Sequence, residues 1–198
     1  FEGRRLMLVT LHRRESWGEP LAGMCRALRA VVECVPDLQV VFPVHLNPAV
    51  QETVRTHLAG VERIELVEPM DYLTFVAHLD RSVLVLTDSG GVQEEAPALG
   101  TPVLVLRETT ERPEAVDAGT AVLVGTDPAR IVTVATSLLN DEASRARMAR
   151  PVAVFGDGRA AHRICDALER ARPLVQEAAT WRARRDDVEA PVGAEARP

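Results

Sequence analysis

Six short, nearly continuous apolar runs, separated by polar or helical sequence, constrain this chain more than any other feature. They are Leu6 to Leu11 (LMLVTL), Gln39 to Val44 (QVVFPV), Arg63 to Val67 (RIELV), Ser82 to Thr87 (SVLVLT), Val103 to Leu106 (VLVL, entered through Pro102) and Ala121 to Val124 (AVLV). Runs of this kind, bounded by breakers, read as strands buried on both faces, which requires a parallel sheet with helices packed on each side. The intervening sequence supplies the helices. Leu21, Met24, Cys25, Leu28, Val31, Val32 and Val35 recur with a helical period that begins beside Pro20 and stops at Pro36. Asp127 before Pro128 reads as the cap of a second helix, with Ile131, Val134, Ala135 and Leu138 on one face. A third is expected from about Arg159 to Arg170, with Ala161, Ile164, Cys165 and Leu168 inward. The pattern predicts an α/β fold, a Rossmann-like three-layer parallel sheet with helices on both faces.

This ordered domain is expected over 1–172. From Pro173 the apolar period fades into Ala, Arg, Glu, Asp and Pro, which reads as a mostly disordered tail over 173–198, apart from a helical start near Trp181. Hydrophobic residues make up 46% of the 198 and charged residues 26%, enough apolar content to exclude a chain disordered throughout. No apolar run approaches the roughly 20 residues that cross a bilayer. A net charge of -6 argues against a nucleic-acid partner but leaves room for a local basic pocket for a small anion. The three cysteines, Cys25, Cys34 and Cys165, lie in helical patterns without a CxxC pair and read as reduced core thiols of a cytoplasmic protein, with no metal site. The chain opens at Phe1, directly before a strand and without a methionine, so a preceding part of a longer polypeptide is expected.

Ligands of open parallel sheets bind beyond the carboxyl ends of the strands. The residues there are His12, Arg13, Arg14 and Glu15 after the first run, His45, Leu46, Asn47 and Pro48 after the second, and Asp88 through Glu95 after the fourth. Arg107 through Glu114 follow the fifth. The TDSGG sequence is the most specific. It passes from strand to helix through a hydroxyl residue and two glycines, so that backbone N–H groups and the positive end of the helix dipole face an anion. A helix cap at Ser89 with a tight turn explains the same spacing. Neither the G-x-G-x-x-G pattern of a nicotinamide site nor a P-loop is present. Glu94 and Glu95 fall about one turn into the helix, where a carboxylate accepts from vicinal ribose hydroxyls. For Glu94 the simpler reading is an acid in a first helical turn, and for Arg112 an ion pair with Glu111 or Glu114. Tyr72 and Phe75 share a helical face, which reads as core packing, although an aromatic there also suits a nucleobase.

Taken in order, TLHRRE, PVHLNP, TDSGGVQEEAPALGTPVLVLRETTERPEAVDAGT, VGTDP and FGDGRA resemble the C-terminal half of the UDP-N-acetylglucosamine 2-epimerases. The resemblance spans about Arg5 to Leu168. It implies the second domain of a two-domain GT-B arrangement that closes around a nucleotide sugar, with an N-terminal domain absent from this chain and a helix after the GDG turn that crosses toward that domain. Ser89, Gly90 and Gly91 would contact the UDP phosphates, Glu95 the ribose and Phe75 the uracil. His12 would act catalytically by stabilising the departing diphosphate, supported by Arg112. Arg13 and His45 would hold a second UDP-N-acetylglucosamine as an activator. The implied reaction inverts C2 of the sugar by eliminating UDP to 2-acetamidoglucal and adding it back, without a cofactor. The carboxylates for that chemistry would lie in the other domain, and the protein would be a cytoplasmic homodimer serving polysaccharide biosynthesis.

Two departures stand out. The usual HRREN is HRRES, with Ser16, and the usual NPYGDG is AVFGDG over Ala153 to Gly158. They bear on activator binding and domain closure more than on the phosphate motif. A hydrolysing epimerase that releases free N-acetylmannosamine shares these motifs. A GT-B glycosyltransferase fits HRRE and TTERPE less closely, and a non-catalytic UDP-sugar-binding module is the reading from another class.

Overall fold

The computed structural model describes residues 3–188. Its contacts divide the chain into Phe1–Phe155 and Gly156–Pro198. The first unit holds one six-stranded sheet formed by β1 (Arg5–Thr10), β2 (Leu38–Pro43), β3 (Ile64–Val67), β4 (Ser82–Thr87), β5 (Val103–Val105) and β6 (Ala121–Leu123). Every pairing is parallel, and the order across the sheet is β3-β2-β1-β4-β5-β6. All six expected strands are present, with ends that move by a residue at most. The order reverses between β1 and β4, the central pair, where Thr10 stands beside Thr87.

The apolar runs are continuous because successive residues face two separate cores. Met7, Val9 and Leu11 point to one side of β1 and join residues of α1 (Glu19–Cys34), α2 (Pro48–Leu58), α6 (Pro128–Asn140) and α7 (Glu142–Met148). Leu6 and Leu8 point to the other, where they meet α3 (Tyr72–Arg81), α4 (Gly90–Leu99) and the short α5 (Pro113–Asp117). All seven periodic residues from Leu21 to Val35 are buried. Asp127 caps α6 as expected, its carboxylate accepting from the Arg130 N–H at 3.1 Å.

Packing overrides several sequence expectations. Of the cysteines only Cys25 is a core thiol, with burial pushing its pKa up to about 12. Cys34, at the exposed end of α1, and Cys165 are exposed, and all three are free. On α3, Phe75 packs against the second core while Tyr72 is exposed, as is the whole first turn of the helix through Thr74.

The second unit contains α8 (Ala160–Val188), preceded by a turn in which the Asp157 carboxylate receives Arg163 at 2.7 and 2.8 Å. The helix expected over Arg159 to Arg170 is thus present, but Ala161, Ile164, Cys165 and Leu168 are exposed rather than inward. Among the described residues, their unit holds no other helix or strand to cover them. The helix also continues through Pro173 to Val188, where a mostly disordered tail is expected; Ala, Arg, Glu and Gln are strong helix formers even without an apolar face. Residues 189–198 of that tail lie outside the described residues.

Candidate functional site

The candidate site forms at the central reversal of strand order, the place where an open α/β sheet presents diverging loops and a crevice. Three of those loops converge. The β1 loop carries His12 and Arg13, the β4 loop carries Asp88 and Ser89 into α4, and the β2 loop carries His45. The His12 and His45 rings are stacked, with centroids 6.0 Å apart and planes 24° from parallel. Behind them, Asp88 is fully buried and accepts from the backbone N–H groups of His12 (2.9 Å) and Arg13 (2.9 Å).

Ser89 occupies the cap position of α4, yet its side chain makes no capping bond. Its backbone N–H donates to the Thr87 hydroxyl at 2.9 Å, so the first turn of α4 is oriented by the strand end and not by a serine cap. Gly90 begins the helix, and a Cβ placed there would stand 3.6 Å from an Arg13 guanidinium nitrogen and 3.9 Å from one of Arg112. Two cations thus flank the N-terminal end of a ten-residue helix. A Cβ on Gly91 would meet the Ser89 hydroxyl and Glu95 Oε1, each at 3.9 Å. Arg13 is held by its backbone bond to Asp88, while its buried Nε has no protein partner. In a fold that satisfies nearly all buried polar groups, such an atom marks a place where a ligand or solvent completes the set.

A second atom of this kind lies one turn along α4. Glu95 keeps a buried Oε2 without a partner, and burial first, with the adjacent Glu94 second, raises its pKa above the usual carboxylate value. Glu94 itself binds the Arg112 Nε–H, and Arg112 also donates to the Glu111 carbonyl at 3.0 Å. The ion pair expected between Arg112 and Glu111 or Glu114 is therefore not formed. Glu111 instead receives buried Arg107 at 2.7 Å, which also holds Glu15 at 2.7 Å. Arg107 hydrogen bonding pulls the Glu111 carboxyl down to about 2.

His12, Arg13, His45, Ser89, Gly90, Gly91, Glu95 and Arg112 thus gather around the same strand ends. Phe75 lies on α3, partly buried against the core that α4 also covers. Sequence reasoning gave no role to Asp88 or Arg107. Asp88 directly follows β4 and Arg107 lies two residues past β5, but such a position does not by itself signal burial, since Glu68 directly after β3 is exposed.

Among the described residues no helix is long and apolar enough to cross a membrane, and no cluster of His, Cys, Asp and Glu suits a metal ion. The sequence profile of the family described as UDP-N-acetylglucosamine 2-epimerase matches residues 1–169. The UDP-N-acetylglucosamine 2-epimerase of Yersinia pestis is 52% identical over 166 residues, covering 84% of this chain and 44% of that protein. A UDP co-structure of MnaA from S. aureus superposes with a TM-score of 0.83 at 40% identity, over 87% of this chain and 47% of that one. The UDP-GlcNAc 2-epimerase from Neisseria meningitidis bound to UDP-GlcNAc gives the same score and identity over 86% and 46%. The chain spans less than half the length of these proteins, in keeping with the C-terminal Rossmann-like half of a GT-B arrangement. By sequence profile, identity and fold together, the chain belongs to the UDP-N-acetylglucosamine 2-epimerase family.

Proposed function

We propose that this chain supplies the UDP-binding half of an enzyme that interconverts UDP-N-acetylglucosamine and UDP-N-acetylmannosamine by non-hydrolysing C2 epimerisation. The observation that carries the reading is the placement of Arg13 and Arg112 on either side of Gly90 at the start of α4, with a partnerless buried oxygen of Glu95 one turn away. A diphosphate accepts from the N–H groups of Ser89, Gly90 and Gly91 and from both guanidinium groups, while its ribose hydroxyls donate to Glu95. Phe75 lies by the uracil.

Loss of UDP from C1 develops negative charge on the leaving diphosphate. Preorganised donors at that point lower the barrier because they need no rearrangement as the charge appears. His12 and Arg112 have this role, and the same groups hold UDP for its return to the intermediate 2-acetamidoglucal. Removal and return of the C2 proton require a carboxylate at the sugar, which the other domain provides. Arg13 and His45 border the same crevice and hold a second UDP-N-acetylglucosamine beside the first, a reading supported by the His12–His45 stack.

Calorimetric titration of the 198-residue chain with UDP tests the half-site, and no detectable binding overturns it. The chain alone is expected to leave UDP-N-acetylglucosamine unchanged, as followed at C2 by NMR. Robust turnover by the chain alone would refute the division of labour between two domains.

A further inference from the structure

Asp88 is the one acidic side chain of the crevice with no exposure, whereas the His12 side chain is 39% exposed. A carboxylate removed from water is costly unless its lone pairs are occupied. Here the donors are the His12 N–H at 2.9 Å, the Arg13 N–H at 2.9 Å and the His12 imidazole, whose Nδ1 stands 3.1 Å from Oδ1. The main-chain bonds lock the turn after β1 to the end of β4, and the Asp88 N–H returns the connection by donating to the Thr10 carbonyl at 3.2 Å. Position and ring orientation of His12 are therefore set by one buried carboxylate.

Two ring nitrogens of an imidazole have different duties when one is committed to a neighbour. We propose that Asp88 is a positioning residue that accepts from the Nδ1–H of His12 and so turns Nε2 toward the leaving diphosphate, where the doubly protonated ring donates its Nε2–H to the oxygen that takes the electron pair of the broken C1–O bond. Fixing the ring beforehand avoids a rotation at the moment the C1–O bond breaks. Only the identity of the group that meets Nε2 rests on the UDP reading above; the tautomer assignment does not.

Nitrogen-15 labelling of the histidines in the 198-residue chain, with long-range proton–nitrogen correlation at mildly alkaline pH, reads the tautomer directly, His12→Gln supplying the assignment. The expected result is the Nδ1–H form, and the Nε2–H form in the unaltered chain overturns the proposal whether or not any Asp88 variant folds. In Asp88→Asn the amide oxygen still accepts from the two backbone N–H groups, but its NH2 now faces the ring, so the proton is expected to move to Nε2. Retention of the Nδ1–H form in a folded Asp88→Asn chain is the outcome of a merely structural role and overturns the proposal. Adding UDP to the same sample separates the two readings. A larger shift at Nε2 than at Nδ1 supports the proposal, and the reverse overturns it. Unchanged amide signals at Ser89, Gly90 and Gly91 count against UDP binding and leave the tautomer result standing.

Discussion

Glu94 binds the guanidinium of Arg112, while Glu95, the next residue on α4, turns a buried oxygen toward no protein donor. The two adjacent acids therefore differ in what they have left to offer. Glu95→Ala is expected to weaken UDP binding more than tenfold, since hydrogen bonds to a charged acceptor contribute about 1.5–3 kcal/mol each. Glu94→Ala, which loosens Arg112 only, is expected to cost severalfold. Equal losses in calorimetry remove the basis of the ribose assignment.

The raised pKa of Glu95 adds a pH signature. If ribose hydroxyls donate to the ionised Glu95 carboxylate, as proposed, binding favours loss of its proton, and UDP affinity should rise with pH through the elevated carboxyl pKa and then level off. In Glu95→Gln this part of the pH dependence disappears. Affinity measured from acid to neutral pH in both proteins checks it.

A methyl group at Gly90 would enter the space between Arg13 and Arg112 at ordinary contact distances from each. Gly90→Ala should thus fold with a thermal midpoint within a few degrees of the parent and lose about tenfold in UDP affinity. Fold and site respond very differently at Gly100, which ends α4 with φ +77° and where an added Cβ would stand only 3.0 to 3.1 Å from the Pro151 ring and nitrogen. Gly100→Ala is expected to destabilise the chain by about 2 kcal/mol or more in denaturant titration, because the left-handed conformation alone costs roughly 1–2 kcal/mol.

Acid should act through Glu111. Its carboxyl, pulled from 4.5 down to about 2 by Arg107, contributes stability that is present above the unfolded value and lost as pH falls through that interval. Glu111→Gln is expected to lower stability at neutral pH and to flatten its decline in acid, as read from unfolding midpoints across that range.

Thiol labelling distinguishes the three cysteines. Cys25, buried and pushed up to about 12, should resist maleimide in the folded chain, whereas exposed Cys34 and Cys165 should react.

The layout of the sheet was legible in the sequence because each central strand is buried on both faces, which leaves an uninterrupted apolar run such as Leu84, Val85 and Leu86. The α1 and α6 helices were equally legible from their period and, for α6, from its cap. Less legible were features decided by what lies opposite a residue. Cys34 and Leu168 satisfy a helical pattern yet face solvent, and Arg112 chose Glu94, eighteen residues away, over its two near neighbours. The TDSGG sequence marked the turn into α4, beside which the structure brings Arg13 and Arg112. The buried support of the site by Asp88 did not appear in any local pattern, because it depends on the pairing of β1 with β4.

His12 and Asp88 are 76 positions apart along the chain. Their contact closes a long loop, and loop-closure entropy delays such contacts until the intervening βα units have already ordered. The crevice therefore comes into existence with the cooperative fold and is absent from any shorter intermediate that holds β1 alone. A ligand that bound this crevice only in the folded chain would stabilise the whole fold by mass action, and its apparent dissociation constant would rise as the native fraction fell.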